Sequence, residues 1–392
     1  MAPLKPFFLG VLLTPFRNLY PIHKDLWLFG SDKGLRYGQN SRYLFEYILE
    51  NDYTIRAYWV TKSRDVFKQL KSAGLPVVYN YSIKGVWFSL TAGLKVMSTW
   101  FSDIDYNFYS RRQKIAYLEH GMPIKKIFYD YQPKIAVSGT VFSKIKGKLY
   151  KYFTGDYKLE YSCFTPVTSD FYRTILSGAM HNNNVFVCGQ PRADALFHLN
   201  NIDIRKKINI DENDFVITYM PTHRSYGLGE PSPRIFFDNP VAIDFFKNNR
   251  IKVIIKQHPN MLPKYKLKES DVCFLDLSFD STLDSQELLS ITDLLITDFS
   301  SCFIDYMVFK KPILFYDYDN YEETDNDLYV SVDQLMDIGY ICRDETKLLE
   351  KVMETYKSPN TGFESTTIFN IFHDDCSCER CFSKLKDIVW GN

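Results

Sequence analysis

Histidine, arginine, lysine and serine recur in this sequence at one kind of place, just beyond a short apolar run. KIAYLE ends on His120-Gly121-Met122-Pro123, with Lys125 and Lys126 following. KVIIKQ, which carries Lys256, leads into His258-Pro259, and FVITYM leads into Pro221-Thr222-His223-Arg224. DLLIT, closing on Thr297, is followed by Asp298-Phe299-Ser300-Ser301, and VFVCGQ by Pro191-Arg192-Ala193-Asp194. Imidazole titrates near neutrality and can take or return a proton. Arginine and lysine neutralise phosphate charge without a metal. A serine pair opening an apolar helix offers hydroxyls and main-chain N–H groups to an anion, where the helix dipole also favours negative charge. The mixture suits a diphosphate, with Arg224, Lys256, Ser300 and Ser301, and the flanking Thr222 and Thr297, on its side. His120 and His258, one from each half of the chain, then fit proton-transfer and phosphate-contacting roles.

Each feature alone has an ordinary explanation. A histidine after a strand is commonly a hydrogen-bonded structural residue, Ser-Ser before an apolar helix is a cap, and Gly-x-Pro is turn chemistry. The collective pattern is what points to chemistry: five strand ends carry such residues and almost no acidic cluster balances them. The acid-x-acid matches DID (103–105) and DYD (317–319) are too short to specify a metal site, so neither a divalent metal nor another cofactor is expected.

The elements that must position these residues are short β-like runs separated by helix-like stretches. The first set is DLWLFGS (25–31), TIRAYWVT (54–61), LPVVYN (75–80), LKVMSTW (94–100), KIAYLEH (114–120), KIAVSG (134–139), FTPVTS (164–169) and NVFVCG (184–189). After the polar stretch 201–214 come FVITYMPT (215–222), KVIIKQHP (252–259), CFLDL (273–277), DLLITD (293–298) and PILFYDYD (312–319). Several are continuous apolar runs, as expected of parallel strands covered on both faces. Strand–helix alternation implies βαβ units, and a single sheet of thirteen strands would be unusually wide. The expectation is an α/β fold of two doubly wound, Rossmann-like domains, 25–200 and 201–392, facing a cleft, with ligands beyond the carboxyl ends of the strands.

Composition narrows the function. The chain has 392 residues, 45% hydrophobic and 24% charged, which allows two ordinary cores. Forty-seven basic residues balance forty-seven acidic ones, which argues against bulk nucleic-acid binding. The 28 Tyr and 31 Phe suit thick cores and amphipathic surfaces near a membrane. Residues 1–24 are apolar from Pro6 to Phe16, too short to span a bilayer and broken by Pro15. They fit either a membrane-surface anchor or a helix packed on its own domain. Scattered cysteines fit a reducing compartment, and CSCERC (376–381) fits either a plain helix start or, with His373, a zinc site.

Six stretches, in order along the chain, resemble the CDP-glycerol glycerophosphotransferases, the teichoic-acid primase and polymerase group also found in capsule polymer synthesis. They are LFGSDKGLRYGQNSRYLFEYI (28–48), LEHGMPIKK (118–126), VCGQPRADALF (187–197), YMPTHR (219–224), IKQHP (255–259) and DLLITDFSSCFIDYMVFKKPILFYDYD (293–319). The resemblance implies a GT-B type fold and an enzyme at the inner face of the bacterial cell membrane. Such an enzyme transfers a polyol phosphate, glycerol phosphate foremost, from a CDP-activated donor to a hydroxyl of a lipid-linked or polymeric glycan, releasing CMP. It places His120 as general base and His258 at the donor diphosphate or in catalysis. Arg224, Asp298, Ser300 and Ser301 fall on the donor side, with Gly121, Pro123, Lys125, Pro259 and Arg192 in support. Where the family often carries tryptophan before His-Gly and after Pro-Thr, this chain has Glu119 and His223. Two other readings stand beside it: a GT-B glycosyltransferase using a nucleotide sugar, with Glu322-Glu323 imitating its acidic residue, and a non-catalytic scaffold.

Overall fold

The computed structural model describes residues 13, 16, 18–104, 110, 112–131, 158–222, 235–257, 273–278, 283–318, 328–359 and 368–391. The chain divides into two compact units. The first comprises Met1–His120, Ile127–Asp194 and Asp374–Asn392; the second comprises Gly121–Lys126 and Ala195–His373.

The first unit is built on β1 (His23–Gly30), β2 (Arg56–Thr61), β3 (Val77–Tyr79), β4 (Ala92–Met97) and β5 (Lys114–Tyr117). They form a parallel sheet in the order β3-β2-β1-β4-β5. A parallel pair, β6 (Thr165–Val167) and β7 (Val185–Val187), continues past β5 through a bridge between Ala116 and Phe164. Strands β1 and β4 lack polar alternation because both faces are covered. One face packs Trp27, Phe29, Trp59, Leu94 and Val96 against Leu44, Phe45 and Ile48 of helix Gln39–Asn51. Some helices start where the sequence supplies a cap: Ser63 accepts from the Val66 N–H and Ser169 from the Tyr172 N–H. Gly30 ends β1 because a Cβ there would lie 2.7 Å from the Asp103 carbonyl oxygen.

The last helix, Ser377–Trp390, belongs to this first unit, so the expected boundary of 201–392 for the second domain is corrected. Its apolar face carries Cys378, Cys381, Phe382, Leu385 and Val389 into the first core. Trp27 meets Phe382 and Trp390 with ring centroids 5.8 and 5.9 Å apart. Asp194 accepts from the N–H groups of Ser377 (3.0 Å) and Cys378 (2.6 Å), and Arg380 donates to the Cys188 carbonyl (2.9 Å). The CSCERC segment is therefore a helix start. Among the described residues no group of three or more His, Cys, Asp or Glu is placed to hold a metal ion.

The second unit has β8 (Phe215–Met220), β9 (Ile251–Ile255), β10 (Phe274–Asp276), β11 (Leu294–Thr297), β12 (Ile313–Tyr316) and β13 (Tyr340–Cys342). All run parallel in the order β10-β9-β8-β11-β12-β13. Ile217, Tyr219, Val253, Ile255 and Ile296 face Phe236, Phe246, Leu348 and Val352. Val216 and Ile254 point the other way, onto Ile204, Ile208, Leu288 and Ile291.

Two elements differ from the sequence expectation. The stretch read as a polar connector contains helix Asn201–Lys207, capped by the Asn200 side chain and anchored by buried Ile204. Strand β13 is an edge strand of three residues, too short to carry a pattern. The run 134–139 and most of the apolar N-terminal segment lie outside the described residues.

Candidate active site

Both sheets share one strand order around their first strand, and a doubly wound sheet offers its ligand crevice where that order reverses, between its first and fourth strands. In the second unit this is the gap beyond β8 and β11. The Thr222 N–H donates to Asp298 Oδ1 at 2.8 Å, and the Thr222 hydroxyl donates to the same oxygen. The Thr297 hydroxyl donates to the Met220 carbonyl at 2.7 Å. Three residues expected to touch phosphate thus tie two strand ends to each other, because buried polar groups at that junction need partners. Lys256 also makes contacts at a strand end. Its ammonium donates to the carbonyls of Leu277 (2.8 Å) and Leu283 (3.5 Å), fastening the segment after β10.

Ser300 and Ser301 lie directly beyond this junction, both half-buried. Ser301 is the N-cap of helix Cys302–Tyr306 and makes no side-chain capping bond, so its hydroxyl is not committed to the helix. That helix has five residues and passes into a 3-10 turn at Met307–Phe309, shorter than the apolar run suggests.

Residues 121–126 group with the second unit. Gly121, Met122, Pro123 and Ile124 are buried there, Lys125 bridges to Leu328, and the Tyr329 N–H donates to the Ile124 carbonyl at 2.8 Å. Gly121 has φ 152°, which favours glycine and accounts for the Gly in His-Gly-Met-Pro. His258, Pro259 and Arg224 lie outside the described residues.

In the first unit, β5 is followed by Leu118 and Glu119, and Glu119 has φ 58°. A left-handed conformation at a non-glycine residue costs roughly 1–3 kcal/mol and persists only where surrounding structure holds it. Here Asn40 does so. Its side-chain amide donates to the carbonyls of Leu118 (3.2 Å) and Glu119 (2.8 Å) and to Gln190 Oε1 (2.6 Å), and its Oδ1 accepts from the Arg192 N–H (3.0 Å). Arg192 Nη1 donates to the His120 carbonyl, placing this expected supporting residue beside the expected base.

The His120 side chain is 56% exposed, whereas that of Glu119 is 2% exposed. Imidazole Nδ1 lies 3.1 Å from Glu119 Oε2, and the His120 main-chain N–H donates to the same oxygen at 3.2 Å. Loss of water around the ring lowers its proton affinity. The Glu119 hydrogen bond and charge outweigh this, Arg192 subtracts and Asp32 adds, so the pKa of His120 lies above its ordinary value.

The crevice between β1 and β4 of this sheet is organised by Asp103. Its Oδ2 accepts from the N–H groups of Ser98 (3.1 Å), Thr99 (2.7 Å) and Trp100 (3.2 Å), and its Oδ1 from the Lys33 N–H (2.7 Å). Half of the DID match is therefore a loop clamp. Glu119, Asn40, Gln190 and Asp103 carry the site without having been given roles from the sequence. A carboxylate directly beside the histidine was the one legible signal.

Two doubly wound parallel-sheet units in one chain are the architecture of GT-B transferases. The profile of the CDP-glycerol:poly(glycerophosphate) glycerophosphotransferase family matches residues 12–383. A teichoic acid poly(glycerol phosphate) polymerase of Bacillus spizizenii is 26% identical over 94% of this chain and 92% of its own length. A teichoic acid glycerol-phosphate transferase of Staphylococcus aureus is 26% identical over 94% and 93%. The solved wall teichoic acid polymerase TagF superposes with a TM-score of 0.73 at 20% identity, covering 99% of this chain and 94% of that one. The chain belongs to this family. It is an enzyme of the glycerophosphotransferase class.

Proposed function

We propose that this chain moves glycerol phosphate from CDP-glycerol to a teichoic acid polymer, and that His120 is the general base of the transfer. Its Nε2 takes the proton from a hydroxyl of the acceptor polymer as that oxygen bonds to the glycerol-bearing phosphorus of CDP-glycerol. The phosphorus–oxygen bond to CMP breaks, and CMP leaves with the negative charge. His258 and Arg224 stand beside it in the proposal as donor-side groups, as do the hydroxyls of Ser300 and Ser301. Phosphoryl chemistry of this kind needs positioning and charge stabilisation more than covalent assistance. The observation that carries the reading is the anchoring of His120: a half-exposed imidazole held at a strand end by Glu119 at Nδ1 and by Arg192 at its carbonyl. Neutralisation of the diphosphate by side chains and N–H groups, without a divalent metal, is part of the same proposal.

Incubating the protein with CDP-glycerol, CDP-ribitol and a panel of nucleotide sugars tests it. CMP released from CDP-glycerol, and acceptor mass rising in steps of glycerol phosphate, is the expected result; nucleoside diphosphate released from a nucleotide sugar overturns it. Turnover unchanged by EDTA supports the metal-free mechanism, and a loss restored by Mg²⁺ removes it.

We also propose peripheral attachment to the cytoplasmic face of the membrane. Among the described residues no helix is long and apolar enough to cross a bilayer. The support for surface contact is an exposed apolar group in the first unit: Ile83 at 93%, Leu19 at 77%, and Trp87, edge-on to Tyr20. Co-flotation with anionic vesicles, weakened in Ile83→Asp, is the expected outcome; equal flotation of the two proteins removes these residues from the contact.

A further inference from the structure

Resting on the reading of His120 as the base, we infer that Glu119 is its positioning residue. The Glu119 carboxylate holds the imidazole by Nδ1–H, leaves Nε2 as the atom that accepts the acceptor's proton, and compensates the imidazolium formed when it does.

Three observations carry this. The carboxylate is buried, and its Oε2 is shared between Nδ1 and the His120 main-chain N–H. Here the counter-charge comes from the imidazole itself whenever it is protonated, so the pair is best matched in the state the reaction creates. The backbone confirms the constraint: Glu119 occupies a left-handed conformation that glycine would adopt without strain, and the chain keeps a glutamate there. Asn40 and Arg192 hold the carbonyls of Glu119 and His120, and so the backbone from which both side chains project.

Every neighbouring element contributes to the electrostatics. Glu119 precedes the ring, Arg192 approaches from helix Pro191–Asp194, and Asp32 approaches from the loop after β1. Tyr117, buried on β5, neighbours the Glu119 carboxylate, and burial first, then the charges of Glu119 and Asp103, push its hydroxyl up and keep it neutral. Glu119 is thus the dominant partner that raises the proton affinity of His120.

The test uses the full chain with Glu119→Gln, Glu119→Asp and His120→Ala. NMR titration of labelled histidines, with His120→Ala identifying the signal, gives the pKa of His120 directly. It is expected above its ordinary value of about 6.5 in the parent protein and lower in Glu119→Gln. In the same variant kcat for CMP release falls at least about tenfold with KM for CDP-glycerol unchanged, and the acid limb of the pH profile moves to lower pH by the shift seen in NMR. Glu119→Asp, which keeps the charge, restores part of both. A parent His120 pKa at or below the ordinary value overturns the inference whether or not the variants fold, and so does an unmoved limb in folded Glu119→Gln. Full activity in His120→Ala overturns the reading of the base while leaving the measured pairing of the two side chains standing, so the two failures are distinguishable.

Discussion

Replacing His120 by alanine separates chemistry from folding at this site. The ring is more than half exposed and belongs to neither core, so the loss of stability is confined to its contact with the buried Glu119 carboxylate, and a cooperative thermal transition is expected to remain. Loss of a positioned base lowers kcat by about 10²–10⁴-fold, measured as CMP release. The opposite signature belongs to Asp298, whose Oδ1 holds both donors of Thr222. Asp298→Ala leaves a main-chain N–H unpaired at a buried junction and is expected to cost roughly 1–3 kcal/mol of stability, read by urea unfolding. Ser301→Ala should leave unfolding unchanged, because its hydroxyl makes no capping bond, yet raise KM for CDP-glycerol about tenfold by removing a hydrogen bond to a charged group. Sequence alone does not distinguish these residues: Thr222, Asp298 and Ser301 are all polar groups after an apolar run. Which of them face a ligand and which face each other depends on the strand pairing β8–β11, a contact across more than seventy residues. Glu119 was legible only as a departure from the family pattern, since its role depends on a left-handed turn imposed by Asn40 from a distant helix.

At the scale of elements, the strands were legible because parallel strands buried on both faces are continuous apolar runs, and the helices because their caps are explicit. Strand order was not legible, since Val-Ile-Leu runs look alike until register is known. The docking of helix Ser377–Trp390 shows what decides such cases. Leu385 is fully buried against the first sheet, and Leu385→Ala is expected to cost roughly 2–5 kcal/mol. At the rim of the same contact Lys386 bonds Asp52 Oδ2 at 2.8 Å, beside the cap of helix Gln39–Asn51. Hydrogen bonds from Lys386 and then Thr54 pull the Asp52 carboxyl from 3.8 down to about 2. A carboxyl depressed by folding contributes stability above its unfolded pKa and loses it as pH falls through the folded one. Asp52→Asn should therefore be less stable than the parent at pH 7, by about 0.2–1 kcal/mol since the lysine is half exposed. The difference should close between about pH 4 and pH 2, as followed by thermal unfolding at stepped pH.

At the scale of the molecule, the chain leaves the first unit at Asp194 and returns to it at Asp374. The second unit is thus inserted into the first, and the first core is completed only by a helix that follows the whole second unit. Asp194 itself marks the join, because its carboxylate caps the returning helix at Ser377 and Cys378. Removing residues 374–392 should therefore unfold the first unit and spare the second. The helix supplies Cys378, Cys381, Phe382, Leu385 and Val389 to that core, and without it the face bearing Trp27 and Tyr47 is open to water. Exposing several large apolar side chains at about 1.5–3 kcal/mol each exceeds the net stability of an ordinary domain. Limited proteolysis is the direct measurement, with cuts expected throughout residues 23–194 while fragments of 195–373 persist. Cuts confined to 195–373, or a truncated chain as resistant as the parent, would place the last helix with the second unit and restore the boundary that the sequence suggests.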